Sequence, residues 1–380
     1  MLFWGAITAS IPPKLQDWGL PQTPFRTYAW VMAQVLPGGQ AFTGSPEPAR
    51  IAPAAAAGAV AATLAASTVL WFLNSPRPAT WLIRRLGSAG TRRLAQAMAR
   101  HVPDGVSEVL DLQYLADHQL TYLDVFFPSG VQHQAQRLPT IVWVHGGAWI
   151  AGSKSDVANY LRVLASSGFT VVGVGYSLAH EYRYPEPVRQ TAAALQYLQE
   201  NAERLHVDPD RFVLAGDSAG AQIASQLALV VSDPAYAERL GIAAPIARDR
   251  LRAALLYCGA YDLSLINAAG AARRRYEHSV LWSYTGFRNY SELPYIGLAS
   301  VSRHVGRDFP PSFVAAGNAD PMLAHSVGFA DVLAAAGVET DTFFPRSERG
   351  LPHEFQFHLE EEAAWTALTR SIEFLRRHTD

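Results

Sequence analysis

The chain has 380 residues, 49% of them hydrophobic and 17% charged, a composition that excludes a disordered polymer and leaves room for one large α/β domain with extra segments. A formal net charge of −2 gives no reason to expect a polyanionic partner, and no stretch of the main domain interleaves basic and aromatic residues as a nucleic-acid groove does. The single cysteine, Cys258, excludes an intramolecular disulfide and, in the apolar run LLYCGAY, reads as a small buried hydrophobe.

Residues 1–106 read as a region apart, helical and membrane-associated. Residues 51–73 carry no charge and are long enough, at 1.5 Å per residue, to cross a bilayer core as a helix, so a transmembrane span is expected there. Ten of those positions are alanine, which favours helix but adds little transfer energy. Arg77, Arg84, Arg85, Arg92, Arg93 and Arg100 come after it. By the positive-inside rule that flank, and the domain after it, are expected on the cytoplasmic face. The near-absence of lysine beside so much arginine and alanine fits a GC-rich bacterial genome.

From 107 to 380 the pattern alternates strands and helices. Strands are expected at 109–116, 120–128, 140–147, 170–177, 211–218, 251–261, 311–320 and 339–345. The early ones are hairpin-linked, and helices separate the later ones. This predicts an α/β fold with a mostly parallel eight-stranded sheet covered by helices on both faces. Residues 262–310 are too long for a simple connection and carry several aromatics, so they read as a partly helical cap.

Chemistry concentrates at strand ends. GDSAG, Gly216 to Gly220, joins an expected strand to an expected helix. A nucleophile at such a sharp turn needs small neighbours, which Gly216, Ala219 and Gly220 supply. Ser218 is the expected nucleophile, and the Ala219 N–H opens the helix where donors lack partners. HGGAW, His145 to Trp149, ends another strand. Its glycine backbone can point amides at a developing oxyanion, so Gly146, Gly147 and Ala148 are expected to join Ala219 there. His145 reads as a brace for that loop. A serine needs a base and the base an acid, in chain order Ser, Asp, His. His353, in the loop GLPHEF before the last helix, is the expected base, and Asp320, ending a strand before Pro321, the expected acid. There is no HExxH, no cysteine pair and no dinucleotide fingerprint, so neither metal nor cofactor is expected.

With these residues in hand, the chain resembles the hormone-sensitive-lipase-like esterases of the α/β-hydrolase fold, and among them the branch with prenylcysteine methylesterases and arylformamidases. The resemblance covers about residues 107–378 and rests on HGGAW, HVDPDRFVLAGDSAG (206–220), Asp320 before proline, and His353. It implies a triad of Ser218, Asp320 and His353 with the HGG backbone as oxyanion hole. The HGGxW form differs from the three glycines usual in lipase-like members and points away from a true lipase. The expected function is a serine carboxylesterase for short- to medium-chain esters. The alternatives are an arylformamidase-like amidase and a membrane-tethered binding protein that kept the fold without the chemistry.

Overall fold

The computed structural model describes residues 53–380 apart from 117, 132–135, 268–269, 294 and 347–349. Among the described residues two helices come first, α1 at Pro53–Asn74 and α2 at Arg77–Met98. The helix expected near 51–73 therefore forms, with residues 51–52 outside the described part, but the expected transmembrane span is not found. Among the described residues, no helix is long and apolar enough to cross a membrane. The physical reason is the one its composition already carries, since a methyl side chain gives little transfer free energy.

Helix α2 enters as Pro76 and Pro78 preset its first turn. It belongs with the strand-bearing part of the chain, because residues 64–380 form one compact unit and a boundary at 106 falls inside it. The Arg84 guanidinium donates to the Ile150 and Ala179 carbonyls, both at 2.6 Å, and pairs with Glu181 at 2.8 Å. Thr80 and Ser283 share a buried hydroxyl–hydroxyl bond of 2.7 Å.

Eight strands succeed these helices: β1 Val106–Gln113, β2 Tyr122–Pro128, β3 Leu138–Val144, β4 Thr170–Val174, β5 Val207–Asp217, β6 Leu251–Tyr257, β7 Ser312–Ala315 and β8 Thr340–Phe343. They form one sheet in the order β1-β2-β4-β3-β5-β6-β7-β8. The β1–β2 and β2–β4 pairs are antiparallel and the rest parallel. Every residue of β3 and β4 is buried, as strands covered on both faces require.

The remaining helices are α3 Lys154–Ala165, α4 Glu186–Glu200, α5 Ser218–Ser232, α6 Pro234–Leu240, α7 Ala271–Thr285, α8 Leu323–Ala335 and α9 Glu362–Thr379. Side chains alternate across β3 and so feed two cores. Val142 and Val144 join Val188 and Leu195 of α4, Ile223 and Leu227 of α5, and Phe329 of α8. Ile141 and Trp143 face the other way, onto Tyr160 and Leu164 of α3 and Leu368 and Phe374 of α9. The short α6 has no apolar period to betray it; Asp233 caps it by accepting from the Ala235 and Tyr236 N–H groups. Residues 262–310 hold α7 and several 3₁₀ turns between β6 and β7. Strand order reverses between β3 and β5, where the chain leaves the sheet in opposite directions and a crevice opens at the strand ends.

Candidate active site

Strand β5 ends at Asp217 and α5 begins at Ser218 with no intervening loop. Ser218 takes the sharp turn at φ 52°, a left-handed conformation costly for any residue with a side chain. The turn tolerates no bulk beside it. A Cβ on Gly220 would lie 2.0 Å from the Val144 carbonyl oxygen. Ser218 is thereby held proud of the sheet, and the Ala219 N–H lies in the first helical turn, where no intrahelical acceptor exists.

Asp320 comes after β7 and His353 after β8, and the structure brings both to Ser218. His353 Nε2 lies 2.9 Å from Ser218 Oγ. His353 Nδ1 lies 2.9 and 3.0 Å from the two Asp320 oxygens. A carboxylate only accepts, so Nδ1–H donates to Asp320 and Nε2 is left to accept from the serine hydroxyl. Asp320 Oδ1 also accepts from the Met322 N–H at 2.6 Å, so it turns the chain and orients the ring at once. Burial opposes a charge on His353, while the Asp320 carboxylate bonded to Nδ1 and then the Glu354 carboxylate favour it, and the net direction is upward from the usual histidine value. Burial pushes the Cys258 thiol up to about 11, so it stays neutral in neutral solution.

The HGGAW loop is wound tightly. Gly147 sits at φ 117°, and a Cβ there would meet the Ala151 carbonyl oxygen at 2.1 Å, so only glycine fits. His145 braces the loop: its ring stacks on Tyr176 at 4.4 Å, its Nδ1 bonds the Gly146 carbonyl at 2.7 Å, and burial lowers its pKa to about 4. One expected oxyanion donor is corrected. The Gly146 N–H already donates to Asp217 Oδ2 at 2.8 Å, while Asp217 Oδ1 accepts from Trp143 Nε1 at 2.8 Å. Gly146 therefore fastens the loop to the elbow, which leaves Gly147, Ala148 and Ala219 as free donors. Among the described residues no backbone acceptor takes their N–H groups.

Sequence reasoning passed over Glu354. It holds φ 60° and stands beside Asp217. Burial first, then the charge of Glu354, pushes the Asp217 carboxyl well up. The signal that could have found it is a charged residue directly after the expected base. Also missed were Gln222 and Gln226, one turn apart on α5. Gln222 accepts from Trp149 Nε1 at 3.0 Å and donates to the Ala299 carbonyl at 3.0 Å. Gln226 Nε2 reaches Tyr184 Oη, Tyr236 Oη and the Leu298 carbonyl at 2.8, 2.7 and 3.1 Å. Together they hook the cap to the elbow helix.

Two cavities meet at Ser218 and His353. The smaller, about 340 Å³, runs under α7 and is walled by Trp149, Val280, Leu281 and Met322. The larger, about 760 Å³, extends past Gly147 and Glu354 to Thr91 and Arg92 of α2. Cys258, Asp320 and His353 place ligand-type atoms within 4.8 Å of one another. Both ring nitrogens of that histidine are already engaged, so the grouping suits proton transfer better than a metal.

A family model described as alpha/beta hydrolase fold matches residues 141–357. An acetyl esterase of Salmonella choleraesuis is 29% identical over 194 residues, which are 49% of this chain and 57% of that protein. The matched stretch thus spans a little over half the relative's length. Among solved structures, esterase B of Lactobacillus rhamnosis superposes with a TM-score of 0.67 at 24% identity, covering 79% of this chain and 96% of that one. A thermostable carboxylesterase cloned from a metagenomic library gives 0.63 at 21% identity, over 81% and 99%. These two likenesses show the fold.

Proposed function

The chain belongs to the α/β-hydrolase fold family, and from that premise we propose that it is a serine carboxylesterase acting on short- to medium-chain esters. The observation that carries the reading is the His353 ring bonded to Ser218 on one side and Asp320 on the other. His353 takes the hydroxyl proton as Ser218 attacks the ester carbonyl. The oxyanion rests on the N–H groups of Gly147, Ala148 and Ala219, each worth roughly 10²–10³ in rate. His353 then gives its proton to the departing alcohol, and water releases the acyl group by the same route. The acetyl esterase relatives and the modest 340 Å³ cavity under the cap support small acyl groups. Hydrolysis of p-nitrophenyl esters of graded length, with an N-formylaniline in parallel, tests this. Ester turnover falling with chain length, with slow or no amide cleavage, is expected. Preferential cleavage of the amide would contradict it.

For the membrane, we propose attachment to its surface in place of a span. Leu64, Val69, Leu70 and Trp71 of α1 and Trp81, Leu82 and Leu86 of α2 are exposed, with Arg92 and Arg93 further along α2. Apolar side chains beside arginine are the make-up of an interfacial helix.

A further inference from the structure

Helix α7 turns one face to the smaller cavity. Arg273, Tyr276, Glu277, Val280 and Leu281 line it, at the spacing that puts residues on one side of a helix. In this apolar wall Glu277 is anomalous. It is only 8% exposed, one turn from Arg273, whose Nε donates to Glu277 Oε1 at 2.5 Å. The other oxygen, Oε2, is buried with no hydrogen-bond partner. A buried carboxylate oxygen without a donor is costly, and a ligand that supplies one recovers that cost.

Resting on the esterase reading, we propose that Glu277 is a specificity residue that accepts a hydrogen bond from a hydroxyl on the arm of the ester entering this cavity. The charge arithmetic selects the donor. Arg273 already neutralises Glu277, so a neutral hydroxyl suits the site better than an ammonium group, and a terminal carboxylate meets a like charge. The surrounding Trp149, Val280, Leu281 and Met322 fit the methylenes that carry the hydroxyl. The preferred substrates are therefore hydroxylated aliphatic esters rather than plain ones.

The test compares kcat/KM for ethyl hexanoate with ethyl hexanoates hydroxylated at carbons 3 to 6, and for butyl acetate with 2-, 3- and 4-hydroxybutyl acetates. The first series probes the acyl arm and the second the alcohol arm. One position is expected to gain about 10-fold or more over the plain ester, as a hydrogen bond to a charged group allows. Glu277→Leu should abolish that ratio. Glu277→Gln, nearly the same shape, should reduce it several-fold and serves if the leucine variant does not fold. No preference at any position, or a preference that survives in both folded variants, overturns the proposal. Plain esters hydrolysed by the wild type but not by Ser218→Ala would show that the esterase reading stands even where this one falls.

Discussion

The three side chains at the strand ends fix a pH dependence before any substrate binds. As the proposed base, His353 would act only when neutral, and its neighbours hold its pKa above the ordinary 6.5. Activity should therefore rise with pH, and the acid limb of kcat/KM should have its midpoint above 6.5. A midpoint at or below that value would mean the Asp320 contact does not favour the charged ring. Ser218, Asp320 and His353 were legible because their surroundings are chemically forced: a strained turn admits only small neighbours, and strand-end loops must carry the acid and the base. Gly146 was misread for the opposite reason. Nothing in HGGAW says that an amide will be taken by a carboxylate 71 positions away, although Asp217 makes that bond. Glu354 was passed over because, although a charged residue after the expected base is a signal, its partner is the same distant Asp217.

At the scale of elements, α5 does more than carry Ser218. Gln226 Nε2, with two N–H donors, lies within bonding reach of the Tyr184 and Tyr236 hydroxyls and the Leu298 carbonyl, and so ties together the β4–α4 segment, α6 and residues 262–310. Gln226→Leu takes a buried partner from the Tyr184 hydroxyl and from the Gln222 amide, while the Leu298 carbonyl keeps the Tyr236 hydroxyl, and the unfolding free energy should fall by about 2–3 kcal/mol. Urea denaturation reads this, and a loss under about 0.5 kcal/mol would show the network to be dispensable. The central strands were readable from buried apolar runs, β1 and β8 with none of their residues buried were readable only from their place in the alternation, and the helical make-up of residues 262–310 from their length and lack of strand pattern. What escaped was set by tertiary packing. The start of the closing helix at Glu362, after a 3₁₀ turn at Phe355–Phe357, is one such detail. Gln222 and Gln226 carry no local signal, because their partners Trp149, Tyr184, Tyr236 and residues 298–299 lie far away in the chain.

Over the whole molecule, the sheet brings the strand–helix turn at position 218 together with the loops that carry positions 320 and 353. The N-terminal helices are a separate matter of surface. If α1 and α2 rest on a bilayer, the protein should float with anionic vesicles, and Trp81→Ser with Leu86→Ser should weaken flotation severalfold. Equal recovery with and without vesicles would sink the idea. That length of alanine-rich helix read as a span because charge was absent, yet freedom from charge is not the same as apolar bulk. The central claim is tested most directly by a fluorophosphonate probe. The wild type should be labelled on one serine, Ser218→Ala not at all, and His353→Ala slowed by roughly three orders of magnitude or more, because the triad acts as a unit. Well-folded wild type that takes up no label, or a His353→Ala variant labelled at the wild-type rate, would contradict it.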